Sequence, residues 1–503
     1  MCRDIRLNTS FGENFILAAG MRKHILLYLF CSAPFLLVAQ PEIDSAFART
    51  ARYINENWQG YAQLNQACTT IGHRLTGSQQ GQKAETWIFD HLKSRGVENV
   101  QYDPFPFRAW KRKNCKLEVV PYKSDNYVGF EAVSLANTPS FKGAWLMIDG
   151  GDGLESDLRK LGSAIKGKCL VINLGLARTD SNRRNLHRAE KVSLALEYGA
   201  ASVMFVHPAT SDIRLTGTAS LTGEVVSIPA ICVSGSDGKL IREWMKSERL
   251  MADMDVQNEV ADGSARNVVA RIEAPIKTNE TILFCGHLDC WDLGTGSVDN
   301  GIGSFALLDI AAALQKERRN LKRNVVILWT MGEEQGLLGS RHFVGSLKSA
   351  GTLEDIRAVI NLDMVGNPVA FNDFDWPKAD SWFASTQKKI TPFVPSFQNA
   401  VTHEAGLHSD HQPFMLEGIP VFSTGSSMPD SIYRCYHANC DLMNLVRPDD
   451  MRTSALVHSL AGLQLAMVPK IPFRAMNEKK LVKWLKKHNL KEKLEISKEW
   501  RWK

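Results

Sequence analysis

Short apolar runs bounded by glycine or polar residues recur along the chain, and runs of this length predict buried strands. In the second half of the chain they cover residues 281–285, 324–330, 356–361 and 419–423. Residues 304–314 are mostly small or apolar, which is typical of a packed helix. Strands and helices that succeed one another in this way predict an α/β fold.

Residues with carboxyl or imidazole side chains follow the ends of these predicted strands, and a further histidine lies in residues 436–441. The set is His287, Asp289, Asp299, Glu333, Glu334, Asp363 and His437. Open α/β sheets bind ligands beyond the carboxyl ends of their strands. One histidine and one aspartate in a single loop are more often hydrogen-bonded caps than metal ligands, and adjacent glutamates usually lie on a solvated surface. Their recurrence at several strand ends favours a metal site instead.

A hydrolytic site with two metal ions needs a shared carboxylate, one histidine and one further carboxylate on each ion, and an unligated base. The chain can supply this set, with Asp299 shared, His287 and Asp363 on one ion, and Glu334 and His437 on the other. Glu333 would then remain free. It could take a proton from the attacking water and deliver it to the leaving amine.

Four segments, residues 286–303, 329–339, 359–366 and 436–441, resemble motifs of the co-catalytic zinc exopeptidases of the aminopeptidase type. The first segment is most similar to the carboxypeptidase Q branch, and the resemblance extends from about residue 45 to 469. It implies a mixed central sheet flanked by helices, two Zn²⁺ per subunit and a peptide substrate, and relatives suggest a homodimer.

The resemblance assigns the same five ligands and the same base, Glu333. Asp289 matches a carboxylate that is expected to hold the His287 imidazole in its ligating tautomer. Asp410 and His411 occur where relatives have a site-lining segment, so they are candidates for substrate contact, although a loop aspartate often caps backbone amides. Cys290, Asn300 and Leu442 depart from common family residues, which puts substrate preference in doubt.

The expected activity is hydrolysis of dipeptides or short peptides with free termini, and the sequence leaves open which end is cleaved. Two other functions are compatible with this fold. One is a glutaminyl cyclase, which uses one zinc ion to cyclise an amino-terminal glutamine. The other is a receptor-like scaffold without activity, in which substitutions among the ligands would be expected. The complete ligand set favours the peptidase.

Residues 114–257 alternate short apolar strands with turns and contain no cluster of candidate ligands. They resemble the smaller, β-rich protease-associated domain that some relatives insert into the catalytic domain. The predicted catalytic domain therefore comprises residues 40–113 and 258–470. The insertion either shapes the cleft or is purely structural.

Residues 1–39 form a predicted leader. Met21 is the predicted initiator, and it precedes two basic residues and an apolar stretch at 25–38, as in a secretory signal. A stretch of fourteen residues is too short to span a membrane. Cleavage is expected after Ala39, which predicts an exported, periplasmic or extracellular, protein.

The formal net charge is +6, and the basic residues are concentrated at the two ends of the chain. A nearly neutral body argues against nucleic-acid binding. Residues 471–503 form a basic tail with an amphipathic helix, for which docking on the body or contact with a membrane or envelope remain open.

Cysteines at 435 and 440 bracket His437, and export permits disulfides without establishing a pairing.

Overall fold

The computed structural model describes residues 34–177, 184–209 and 211–503. Residues 1–33, most of the predicted leader, lie outside the described residues. The chain divides into two compact units, Met1–Glu42 and Ile43–Lys503. The second unit contains every strand described below.

The strands are β1 Asn99–Pro121, β2 Val128–Ser134, β3 Phe141–Asp149, β4 Cys169–Asn173, β5 Ser202–Val206, β6 Ala230–Val233, β7 Leu250–Ile272, β8 Thr281–His287, β9 Asn324–Thr330, β10 Ile356–Asn361, β11 Pro368–Asn372 and β12 Val421–Ser426. The α-helices are α1 Pro34–Asn57, α2 Gly60–Thr70, α3 Gln79–Ser94, α4 Glu155–Leu161, α5 Arg188–Glu197, α6 Gly235–Ser247, α7 Ile302–Lys316, α8 Leu338–Ser349, α9 Asp380–Ile390, α10 His411–Leu416, α11 Asp430–Tyr433, α12 Pro448–Met467, α13 Glu478–Lys487 and α14 Lys491–Ile496.

The strands form a mixed sheet in the order β1-β2-β6-β5-β4-β3-β7-β9-β8-β10-β12-β11. Its central strands β9, β8, β10 and β12 are mutually parallel, whereas β7 and β11 pair antiparallel at either side of them. The predicted strands of the second half are therefore confirmed, with β9 and β10 at the predicted bounds. The prediction of a mixed sheet flanked by helices is confirmed as well.

Strands β1 and β7 are 23 residues each and pair antiparallel from Asn99 with Arg271 to Pro121 with Leu250. Because β1 also pairs with β2, and β7 with β3, strands β1–β7 form a closed circuit of pairings. The predicted insertion, residues 114–257, supplies most of this circuit and two apolar clusters of its own. Its predicted boundaries fall inside β1 and β7, next to a register shift between Arg112 and Asn114. Its identity as a protease-associated domain stays a prediction.

Helix α7 lies at the centre of the main apolar core, between the sheet and helices α2 and α12. Within the described residues, one helical segment, Ser297–Lys316, is long and apolar enough to cross a membrane, and its apolar 18-residue window is entirely buried inside the protein. Such burial is typical of a core helix. Helix α7 begins at Ile302, three residues after Asp299, so its packing restricts the position of that residue.

The basic tail docks on the body through its apolar face. Leu481, Trp484 and Leu485 of α13 belong to the main core, and the Trp484 indole donates a hydrogen bond to the Asp375 carbonyl at 3.2 Å. The docked arrangement that the sequence left open is thus the one observed. Membrane contact through the remaining, lysine-rich face stays a prediction.

Candidate metal centre

Parallel strands deliver three of the predicted ligands to one edge of the sheet. His287 ends β8, Glu334 follows β9, and Asp363 follows β10. Register pairs His287 with Thr330 of β9, and Cys285 of β8 with Asn361 of β10. The carboxyl ends of the three strands therefore lie side by side. This arrangement follows from the buried apolar runs, because each run ends where its strand leaves the sheet and the polar ligand comes next.

The five predicted ligands form two groups that share Asp299. His287, Asp299 and Asp363 bring one potential ligand atom each within 4.8 Å of one another, and so do Asp299, Glu334 and His437. In the first group, His287 Nε2 lies 3.2 Å from Asp299 Oδ1 and 3.4 Å from Asp363 Oδ1. In the second, His437 Nε2 lies 2.9 Å from both Asp299 Oδ2 and Glu334 Oε2.

The donor atoms fit a pair of cations. An imidazole nitrogen carries at most one proton, so neither Nε2 atom can donate well to two carboxylates at once. Among the described residues, buried atoms Asp299 Oδ2 and Glu334 Oε1 have no hydrogen-bond partner of good geometry. Buried carboxylates without partners are costly unless a cation neutralises them. Imidazole and carboxylate together suit Zn²⁺ and related divalent ions.

The titration behaviour of the cluster agrees with this fit. Burial raises the pKa of Glu333 and Glu334 well above the usual value, and neighbouring carboxylates raise them further. Burial would lower the pKa of His287, but Glu333 and Asp363 outweigh it and raise that pKa well above its usual value. A bound cation would replace the proton that these groups otherwise retain. Burial, reinforced by Arg188, lowers the pKa of His437 to about 4, which keeps that ring neutral for ligation.

The sequence predicted that the carboxylate of Asp289 holds the His287 imidazole, but another atom of Asp289 makes that contact. His287 Nδ1 lies 3.1 Å from the main-chain carbonyl of Asp289, whereas the Asp289 carboxylate is 3.8 Å away. That carboxylate instead accepts the backbone N–H groups of Glu333 and Glu334 at 3.3 and 3.4 Å. Asp289 therefore orients the histidine through its backbone and the Glu333–Glu334 turn through its side chain.

Two further side chains hold the Asp299 loop, and motif spacing did not identify either role. Asp441 accepts hydrogen bonds from the backbone N–H groups of Val298 at 2.8 Å and Asp299 at 3.0 Å. The buried Arg74 guanidinium donates to the carbonyls of Leu288, Thr295 and Gly296 at 2.6 to 2.9 Å. Asp441 could have been found from its position in the segment 436–441, and Arg74 lies outside the four segments that carry the resemblance.

Replacing Asp441 with alanine should destabilise the protein by roughly 2–4 kcal/mol, because two buried backbone donors lose their acceptor. Urea denaturation of the metal-free protein measures this change. Asp430→Ala is the matched control: Asp430 is exposed, so its loss should change the free energy of unfolding by less than about 0.5 kcal/mol. Equal stability of the two variants would show that Asp441 does not hold the loop.

Asp410 and His411 are buried beneath the site. Asp410 accepts a short hydrogen bond from the Thr330 hydroxyl, and burial raises its pKa to about 6. His411 Nε2 donates to the Gly406 carbonyl at 3.1 Å, and burial lowers its pKa to about 4. These contacts support the loop that holds Asp363, whose Oδ2 accepts from the Ser409 hydroxyl at 2.6 Å. Substrate contact by Asp410 and His411 stays a prediction.

An inner cavity adjoins the second ligand group, and a larger outer cavity lies next to it. The inner cavity, about 80 Å³, is lined by residues that include Glu333, Glu334 and His437. The outer cavity, about 810 Å³, lies between the insertion and residues 430–436. Both are lined by His187, Arg188 and Tyr436. The insertion therefore contributes directly to the walls around the candidate centre.

A disulfide joins Cys435 and Cys440 on either side of His437. Cys285 and Cys290, which bracket His287, are free and buried. The bridge closes a loop of few residues, so the backbone that presents His437 has little freedom. The sequence left the pairing open, and of these two bracketing pairs one is bridged and the other remains as thiols.

Residues 267–461, which include all five ligands and Glu333, match the model of Peptidase family M28. This part of the chain is similar to the peptidases of that family. The chain is 22% identical to carboxypeptidase Q of Mus musculus over 438 residues, which cover 84% of this chain and 89% of that protein. It is 25% identical to a probable leucine aminopeptidase 2 of Aspergillus fumigatus, with 69% of this chain and 67% of that protein covered.

Solved structures show the same fold as this chain. A peptidase M28 precursor from Shewanella amazonensis superposes with a TM-score of 0.74 at 20% identity, covering 87% of this chain and 99% of that one. A zinc aminopeptidase from Bacillus subtilis gives 0.63 at 19% identity, covering 83% and 97%. The predicted resemblance to zinc exopeptidases near carboxypeptidase Q is confirmed. The chain is thus a metallopeptidase, as the motifs predicted.

Proposed function

We propose that this metallopeptidase is an exported exopeptidase that hydrolyses dipeptides or short peptides with free termini, using two zinc ions per subunit. The observation that carries the proposal is the pair of ligand groups sharing Asp299, with Glu333 beside them on the wall of the inner cavity. The five ligands and the base are all present, which argues against a receptor-like scaffold.

His287, Asp299 and Asp363 would hold one ion, and Asp299, Glu334 and His437 the other. Zinc ions, when bound, polarise a peptide carbonyl and lower the pKa of water. Glu333 is the group of this chain that moves the proton. Its carboxylate accepts the proton of the attacking water, and the resulting acid donates that proton to the nitrogen of the breaking C–N bond.

Environment suits Glu333 to this work. Burial and neighbouring carboxylates raise its pKa, so the carboxylate is a stronger base than an exposed glutamate. Asp289 holds the backbone N–H of Glu333 and thereby fixes where the base stands. Zinc is proposed because imidazole and carboxylate ligands suit it, and because a structural relative from Bacillus subtilis is a zinc aminopeptidase.

The structure offers a cation for the carboxylate of a substrate. Arg188 begins helix α5 of the insertion, is 7% exposed, and lines both cavities. Within the described residues its Nε has no hydrogen-bond partner. Gly217 makes room for the guanidinium, since a Cβ there would come within 2.0 Å of Arg188 Nε. A buried guanidinium of this kind favours an anionic ligand, and a dipeptide presents its carboxyl group close to the scissile bond.

Arg188→Met should raise KM for an unblocked dipeptide by roughly 10- to 100-fold, because the variant loses a charge-assisted hydrogen bond whose free energy corresponds to that change. The same variant should change KM much less for the matching dipeptide amide, which lacks the carboxylate. Steady-state kinetics on the two substrates make the comparison. An equal loss on both would contradict carboxylate recognition by Arg188.

The direct test of the function is incubation of the zinc-loaded protein with unblocked dipeptides and with glutamine-initiated peptides, followed by mass spectrometry. Peptide-bond cleavage with gain of one water is the expected result. Formation of pyroglutamate without cleavage would overturn the proposal in favour of a glutaminyl cyclase. Metal analysis of the same sample should find two zinc ions per chain.

We also propose the finer organisation that the sequence predicted. The insertion would be a protease-associated domain whose role is to shape the cleft, and His187 and Arg188 on the cavity walls support this role. Residues 1–39 would direct export and be removed after Ala39. Homodimer formation remains a proposal based on resemblance.

A further inference from the structure

The chain beyond helix α14 reaches the inner cavity. We call residues 497–503 the closing segment. Ser497 and Glu499 line the same cavity as Glu333 and Glu334, although more than 160 residues separate them in sequence. The proposed mechanism gives this segment no role, so its position beside the base requires another explanation.

Glu499 is held by two partners from the catalytic body. Its Oε1 lies 2.6 Å from Arg341 Nη1, and its Oε2 accepts from Gln412 Nε2 at 2.9 Å. Arg341 also donates to the Gly336 carbonyl at 3.0 Å, which links the closing segment to the turn that carries Glu333. The Glu499 side chain is 16% exposed, so this ion pair is partly shielded from solvent.

The rest of the closing segment is anchored as well. The Trp502 side chain belongs to the main core, and Arg501 donates to the Leu416 carbonyl at 2.7 Å. Helix α14, which leads into the segment, lies against α5 of the insertion, whose first residue is Arg188. The closing segment is therefore a fixed part of the cavity wall.

A network continues from Glu499 across the cavity wall to the insertion. Gln412, the partner of Glu499, accepts from the backbone N–H of His408 at 2.7 Å through its Oε1. The His408 ring stacks on His187 with centroids 4.6 Å apart, and its Nε2 lies 3.5 Å from Glu190. Body, closing segment and insertion thus meet around one end of the inner cavity. At about 80 Å³ this cavity holds only a few water molecules.

We propose that the closing segment ends the substrate-binding cleft and so restricts the enzyme to dipeptides over longer peptides. This inference rests on the proposed peptidase function and adds the determinant of substrate length. Glu499 acts as a positioning residue: its bonds to Arg341 and Gln412 hold the wall in place. Glu499 itself takes no part in bond cleavage.

The test compares kcat/KM for a dipeptide and for a tetrapeptide that extends it, in wild type and variants. A variant lacking residues 497–503 should raise the tetrapeptide-to-dipeptide ratio at least about tenfold, equivalent to about 1.4 kcal/mol of discrimination. Glu499→Ala should raise the ratio in the same direction. Glu499→Gln should raise it less, because the amide oxygen can still accept from Arg341.

Glu495→Ala is the matched control, since Glu495 lies in α14, is 50% exposed at its side chain and pairs with Lys491. The tetrapeptide-to-dipeptide ratio of kcat/KM should be the same in Glu495→Ala and in wild type. If Trp502 proves necessary for folding and the truncated protein does not fold, the Glu499 variants decide alone. An unchanged ratio in a folded Glu499→Ala protein overturns the proposal, even if activity on both peptides falls.

Failure of the proposed function gives a different result. A zinc-loaded wild type that hydrolyses neither peptide contradicts the peptidase assignment. The closing segment is then judged from the equilibrium affinities of the same two peptides, measured by calorimetry. Glu499→Ala should strengthen tetrapeptide binding relative to dipeptide binding, and an unchanged relative affinity overturns the proposal.

Discussion

Glu333→Gln is expected to lower kcat by roughly two to four orders of magnitude, the usual contribution of a general base. The amide keeps the shape of the side chain but cannot accept the proton of the attacking water. Both ligand groups are complete without Glu333, so zinc content should stay at two ions per chain. Rapid-mixing assays on a dipeptide, with metal analysis of the same preparation, measure both quantities.

The matched control is Gln335→Glu, which exchanges a carboxamide for a carboxylate two positions along the chain. Gln335 is buried and belongs to neither ligand group. The Gln335→Glu variant should not recover activity in a Glu333→Gln background, because the base must stand at position 333. Near-native turnover by Glu333→Gln alone would show that another group moves the proton.

Asp299→Ala should remove more metal than any other single ligand change. Asp299 is the member common to both groups, with Oδ1 3.2 Å from His287 Nε2 and Oδ2 2.9 Å from His437 Nε2. Its loss withdraws a ligand from both proposed ions, so zinc content should fall below one ion per chain after dialysis. Activity should fall below detection in the same sample.

Asp363→Ala provides the comparison, because Asp363 belongs to one group only. That variant should retain the ion held by Asp299, Glu334 and His437 and bind about one zinc ion per chain. Equilibrium dialysis against zinc, read by atomic emission, distinguishes the two patterns. Equal zinc content in the two variants would contradict a shared Asp299.

The sheet edge was predictable because its determinants are local. Each buried run ends where polar residues begin, and parallel strands place those ends together. His287, Glu334 and Asp363 could therefore be grouped from the apolar pattern alone. Asp299 and His437 lie outside the predicted strands, so no apolar run predicts where they stand, and they entered the set through the ligands that a two-metal site requires.

Other parts of the site depend on the path of the backbone. The sequence placed the Asp289 carboxylate on His287, but only the loop geometry shows that the carbonyl reaches the ring and the carboxylate reaches the next turn. Arg188 and Glu499 meet at the cavity through packing of an insertion helix against α14. Contacts between such distant segments produce no regular spacing of residues, so they could not be predicted from the sequence.

The paired strands β1 and β7 bear on whether the insertion can be transplanted. The ladder that begins with Asn99 and Arg271 continues into the insertion past one register shift between Arg112 and Asn114, and β7 also pairs with β9 beside the metal edge. Excision at residues 114 and 257 would cut both strands in mid-ladder and expose unpaired backbone at the break. A chimaera that exchanges the insertion between relatives should therefore join outside residues 99 and 272, carrying both complete strands, if the recipient is to keep a soluble fold.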